Sequence, residues 1–237
     1  MIKTNVLQSI LKTVKLSDEQ SEELQKVIYG LDDGNIIELS KMPCAGDTAY
    51  VYFSTLNGYS RLLTVKYLGT LKMYTSHVSK TEPKAEPVLH FVFVDAASGA
   101  AEKEMSELTP DEWDESYMFP CHQINKSFFF NREQAIKVYH NLCCLNARHI
   151  SEAEICVGLY EPYVDRKKVF HTKRNHVIFN GSPEDTLGSS LWESLFKCGF
   201  ATVSISNEDG YSCVYSLTPL GLEWLSLFTG VKIKLEG

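Results

Sequence analysis

No stretch of the chain approaches the ~18 consecutive apolar residues that a membrane-spanning helix needs. The first twenty residues, MIKTNVLQSILKTVKLSDEQ, hold no continuous apolar block and no small-residue cleavage pattern, so they do not read as a secretory signal. The phosphate-binding GxxxxGK[ST] loop, GxGxxG, GxSxG, HExxH and the kinase signatures are all missing. There is no internal repeat and no low-complexity tract. Positive charge is in short supply: 23 Lys and Arg stand against 30 Asp and Glu, a net charge of −7. A chain-wide acidic balance disfavours non-specific attachment to nucleic acid or to anionic membrane, since both depend on positive surface.

The chain does have a core. Of its 237 residues 44% are hydrophobic and 11% aromatic, enough for one large domain or two modest ones. Its seven cysteines are an odd number, and several sit in apolar, element-like stretches. Buried free thiols in a reducing compartment fit this better than a disulfide framework, so a cytoplasmic protein is expected.

Hydrophobic spacing predicts a helix over 2–14, with Ile2, Val6, Leu7, Ile10, Leu11 and Val14 on one stripe. A second helix is expected from Ser17, where Ser17 and Gln20 form a capping-box pattern. Strands follow: IIEL (36–39), AYVYFSTL (49–56), YSRLLTVKYL (59–68), LKMYTSHV (71–78) and VLHFVFVD (88–95). Asn57-Gly58 marks a hairpin, because a type I′ turn needs positive φ at both central positions. TEPKAEP (81–87) reads as a loop. The expectation is a mainly antiparallel sheet of four or five strands with flanking helices, an α+β body.

Residues 101–116 are acidic: Glu102, Glu104, Glu107, Asp111, Glu112, Asp114 and Glu115 stand against Lys103 alone. A helix is expected from about Asp111. Another begins at Asn131-Arg132-Glu133-Gln134, with Ala135, Val138, Tyr139, Leu142 and Leu145 as its apolar face. EICVGLYEPYV (154–164), KVFH (168–171) and HVIF (176–179) read as strands. NGSPED (180–185) is the strongest punctuation in the chain and places a boundary between units 1–180 and 181–237.

The C-terminal unit has a recognisable order. A helix after Pro183 presents Leu187, Leu191, Leu195 and Phe196, and Gly199 stops it. FATVSIS (200–206) alternates as a strand, Asn207-Glu208-Asp209-Gly210 turns, and SCVYSLT (212–218) returns. Pro219 then opens a closing helix to Phe228. Over 183–228 this resembles the second half of the winged-helix superfamily, notably MarR-like and HxlR-like regulators. YSLTPLG (215–221) is the most specific part. The resemblance implies a recognition helix over 183–198 and a wing tip at 207–210. A DNA-reading helix wants Arg, Lys, Asn or Gln near its start. Here Glu184 and Asp185 hold that start, and Glu208 and Asp209 hold the wing tip. A phosphate surface would repel them. The architecture is therefore expected to be winged-helix-like and its use to be protein contact.

Three constellations remain. VDRKKVFHTKRNHVIF (164–179) carries Arg166, Lys167, Lys168, Lys173 and Arg174 against Asp165, with His171, His176, Phe170 and Phe179 interleaved. These five cations are the candidate binding residues, for an acidic protein or, alternatively, for a nucleic acid held by charge and stacking. Cys121, His122, Cys143, Cys144 and His149 invite comparison with zinc sites, but adjacent cysteines on a helix point about 100° apart. Asp95 ends a predicted strand and is the best-placed acid for a metal-dependent hydrolase or nuclease, with Glu38 and Glu102 as companions. No acid-x-Lys pair follows it on a strand. No catalytic, metal or cofactor residue is assigned, and the sequence leans away from an enzyme. The expected function is that of an intracellular binding or regulatory protein. It would work through protein–protein contacts, as a homodimer or as a subunit of a larger assembly.

Overall fold

The structure is a computed structural model that describes residues 43–55, 58–73, 88–160, 169–180, 187–206 and 212–236. The helices expected at 2–14 and from Ser17, the strand at 36–39 and the loop at 81–87 lie outside the described residues. The fold is α+β, with mostly antiparallel sheets. Among the described residues no helix is long and apolar enough to cross a membrane.

Two compact units form. One comprises residues 1–51 and 63–135, the other residues 52–62 and 136–237. This is not the division that NGSPED suggests. The strand Val177–Asn180, which runs into that segment, pairs with Ser212–Leu217 well beyond it, so the chain on both sides enters one sheet.

The first unit is built on a five-stranded sheet. Its strands are β1 (Thr48–Ser54), β2 (Ser60–Met73), β3 (Val88–Asp95), β4 (Tyr117–Pro120) and β5 (Phe128–Phe129), in the order β4-β3-β2-β1-β5. Gly58 has φ of 76°, as the predicted hairpin requires. The Thr55 amide donates to the Tyr59 carbonyl at 2.8 Å and closes that hairpin. The strands expected separately at 59–68 and 71–78 are one strand as far as Met73. A bulge between Tyr67 and Gly69, with Gly69 at φ 147°, lets the ladder continue.

Alternation along β2 and β3 sorts side chains to two faces. Tyr67, Phe91, Phe93, Phe119, Phe128 and Phe130 cluster on one, with Phe91 and Phe128 ring centres 5.1 Å apart. On the other, Leu68 and Val94 pack with Ala100 and Leu108, flanked by Met105 and Trp113. The acidic 101–116 stretch is thus an amphipathic cover: Leu108 is buried, Ala101, Met105 and Trp113 pack partly buried against the same cluster, and its carboxylates, the Lys103-paired Glu112 apart, are exposed. Within it, helix α1 (Pro110–Asp114) starts from a capping box between Thr109 and Glu112.

The second unit holds α2 (Arg132–Leu142, from Ile136 onward), α3 (Ala147–Val157), α4 (Leu187–Lys197) and α5 (Pro219–Thr229). Its strands are β6 (Phe170–Thr172), β7 (Val177–Asn180), β8 (Ala201–Ser206), β9 (Ser212–Leu217) and β10 (Ile233–Leu235). β7, β9 and β8 form an antiparallel sheet in that order, while β10 pairs with β6 in parallel. Trp192, Phe200, Tyr215, Trp224 and Tyr139 are fully buried at its centre.

Local chemistry explains the element ends. Asn131 Oδ1 accepts from the Gln134 amide at 2.9 Å, as its sequence predicts. Leu142, expected on the buried face of α2, is 45% exposed, and Ile136 is buried instead. The strand predicted from Glu154 is a helix up to Val157. Asn146 and His149 cap its start, Gly158 at φ 79° ends it, and His149, Ala153, Cys156 and Val157 bury at helical spacing. The β-branched and aromatic content of 155–160 misleads because capping and burial outweigh local strand propensity. Gly199 at φ 73° stops α4, and the Thr218 hydroxyl caps α5 by accepting from the Gly221 amide at 3.0 Å.

Candidate functional site: a basic ribbon

The basic segment divides. Arg166, Lys167 and Lys168 lie outside the described residues, while Lys173 and Arg174 are exposed. The fold adds two cations that the sequence places sixty residues away. Parallel pairing sets Ile233 opposite Phe170, Lys234 opposite His171 and Leu235 opposite Thr172. Since paired residues in a ladder point to the same side, Lys234 and His171 share a face, joined by Lys232 two residues earlier. Lys232, Lys234 and His171 are exposed, whereas Ile233 and Thr172 are buried.

This ribbon is held firmly. The Phe170 amide donates to the Lys232 carbonyl at 2.9 Å, and the Glu236 amide to the Thr172 carbonyl at 2.9 Å. The buried Thr172 hydroxyl donates to the Val157 carbonyl at 2.9 Å and accepts from the Arg174 amide at 3.0 Å. Asn175 then clamps the chain to β9: its amide group donates to the Leu217 carbonyl at 2.9 Å and its oxygen accepts from the Leu217 amide at 3.0 Å. Anchored at 172 and at 175, the intervening Lys173 and Arg174 have only outward directions left. His171 and Glu236, both exposed, pair at 3.2 Å at the edge of the ribbon.

Phe170 and Phe179, which sequence reading offers as stacking rings, are half-buried and packed against the core. Neither of these two rings stands free beside the exposed cations. Lys232 and Lys234 are the residues that sequence reasoning missed as partners of this segment. No local signal finds them, because the pairing is parallel and long-range.

The other candidates resolve into structural roles. Asp95 Oδ1 accepts from the Ala97 amide at 2.8 Å and so caps the turn after β3. Glu102 is exposed in a short 3-10 turn, and Glu38 lies outside the described residues. His149 Nδ1 accepts from the Asn146 amide at 3.2 Å in the α3 cap. Cys121 is buried in the first unit's apolar core, where desolvation pushes its thiol far up. The helix expected to carry Cys143 and Cys144 ends at Leu142, so both lie just past it, Cys143 half-buried and Cys144 exposed with φ of 54°. Among the described residues, no three His, Cys, Asp or Glu side chains gather closely enough to hold a metal ion.

No family model, no curated protein sequence and no solved structure matches the chain.

Proposed function

We propose that the chain is a non-enzymatic binding or regulatory protein that docks an acidic surface of another protein on the β6–β10 ribbon. The observation that carries this is the exposure of Lys173, Arg174, Lys232 and Lys234 on one anchored ribbon of an otherwise acidic chain. Opposed charge steers association and fixes its register. The half-buried, core-packed positions of Phe170 and Phe179 favour a protein partner over a single-stranded nucleic acid, whose bases need exposed rings to stack on. The helix–hairpin–helix from Leu187 to Thr229 supports a winged-helix-like unit turned to contact and not to DNA reading. Its sheet is uncharged on its outer face, where Ile178, 55% exposed, lies beside Val214 and Ser204.

The alternative is a nucleic-acid-binding regulator that uses the same cations together with Arg166, Lys167 and Lys168. One titration separates the two. The full chain is tested against an immobilised acidic peptide and against a single-stranded oligonucleotide over a salt series. Saturable peptide binding that is lost when Lys173, Arg174, Lys232 and Lys234 are all changed to Glu supports protein docking. Tighter oligonucleotide binding with a steep salt slope supports the alternative. Equal binding by wild type and the reversed variant overturns both.

A further inference from the structure

Strand β6 has one edge filled and one edge open. Its parallel pairing with β10 engages Phe170 and Thr172: the Phe170 amide donates to the Lys232 carbonyl, and the Thr172 carbonyl accepts from the Glu236 amide, each at 2.9 Å. In a trans peptide the C=O and the N–H that follows it point in opposite directions. The Val169 carbonyl, the His171 amide and carbonyl, and the Lys173 amide therefore point away from β10. Among the described residues, none of these four groups has a hydrogen-bond partner. Val169, His171 and Lys173 are all exposed. An open row of this kind is a template for one more strand.

The charge around this edge selects what can add to it. Lys234 is paired with His171 on one face of the ribbon, Lys232 precedes it by two residues, and Lys173 and Arg174 follow the strand. Lysine at a strand edge keeps like edges from joining, because a second copy would bring the same cations together. An acidic strand meets the opposite case. Side chains alternate along a strand, so a segment with Asp or Glu at every second position sets all of them on the side of His171 and Lys234. Glu236 shows how that face receives a carboxylate: its Oε1 lies 3.2 Å from His171 Nδ1.

We propose that the open edge of β6 takes up an extended acidic segment of a partner protein as an added strand, a reading that rests on the docking function proposed above. The backbone groups of Val169, His171 and Lys173 supply hydrogen bonds that any extended chain can complete. The surrounding cations supply the preference for alternating acids. The edge is also preorganised. The Thr172 hydroxyl is anchored to the Val157 carbonyl and Asn175 is clamped to Leu217, so uptake of a strand orders little of this chain's own backbone.

Residue-resolved amide hydrogen exchange on the full chain tests this, with and without a peptide of about six residues that alternates Glu and Thr. At saturation, exchange at the His171 and Lys173 amides should slow by roughly tenfold or more. The Phe170 amide, already bonded to Lys232, should change little. Only every second N–H of an added strand faces its neighbour, so N-methylation of one alternate set in the peptide should abolish binding and of the other should spare it. Saturable binding that leaves the His171 and Lys173 amides unprotected, or an equal effect of the two methylated sets, overturns strand addition and leaves docking of a folded acidic surface standing. Protection of these amides in the free chain that grows with its own concentration assigns the edge to a second copy and overturns the proposal. No saturable binding of the peptide removes the docking function itself, and this inference with it.

Discussion

Trp224 donates its indole N–H to Nδ1 of His140 at 3.0 Å, and both side chains are buried. The bond joins α5 to α2, with Phe228 packed on the imidazole at a ring distance of 4.2 Å. Because Nδ1 accepts, His140 must be neutral there. Burial, with a smaller contribution from the charge of His149, holds its pKa below the ordinary value. Changing His140 to Phe keeps the volume but leaves the indole N–H without its acceptor. The expected cost is about 1–3 kcal/mol in urea unfolding.

The same pair sets a pH dependence. His140 and His149 both have lowered pKa values in the folded chain, so the unfolded chain binds more protons below about 6.5. Stability from these two residues is complete above that pH and is lost as pH falls below it. Unfolding midpoints taken from pH 8 downward should decline below about 6.5. The decline should be shallower in His140→Phe.

Gly221 is a packing requirement at the start of α5. A Cβ there would run into the Phe200 carbonyl oxygen, with the carbonyl carbon at 2.9 Å. That oxygen already accepts from the Thr218 amide at 2.9 Å, so it cannot withdraw without breaking the helix start. Gly221→Ala should destabilise by about 3 kcal/mol or more through backbone overpacking. Thermal melts should rank it well below Gly230→Ala, which meets open space and carries only the strain of φ 72°, about 1 kcal/mol.

Asn175 satisfies both backbone groups of Leu217, a residue otherwise buried at the end of β9. Asn175→Ala removes the partners of a buried donor and acceptor and should cost about 2–4 kcal/mol. Asn175→Asp should be worse at neutral pH, since a carboxylate oxygen would then face the Leu217 carbonyl. Hydrogen exchange at the Leu217 amide reads the loss directly.

Glu112 holds its charge down to about pH 2, because the Lys103 ammonium donates to it at 2.6 Å and the Thr109 amide donates as well. Its folded pKa lies below the usual value of 4.5, so its contribution is present above that pH and lost as pH falls through about 2. The stability difference between wild type and Glu112→Gln should be largest at neutral pH and close over that interval. Salt should reduce it, as the pair is partly exposed.

Much of this was legible in the amino-acid sequence, wherever neighbours along the chain carry the signal. Alternation marks β2 and β3, and Asn57-Gly58 marks the hairpin between β1 and β2. Thr218-Pro219 starts α5 and Gly199 stops α4, because capping and φ preferences act within a few residues. The separation of the acidic 101–116 stretch from the basic 166–174 stretch is a matter of composition alone. The tertiary structure decided the rest. Residues 154–157 become helix because His149, Ala153, Cys156 and Val157 bury together, a gain that local strand propensity cannot register. Lys232 and Lys234 join His171 only through a parallel ladder between segments about sixty residues apart, and α2 meets the end of α4 only where the Tyr139 hydroxyl reaches the Cys198 carbonyl. Such contacts depend on the summed burial of the whole unit, which outweighs the entropy of closing the loops between them.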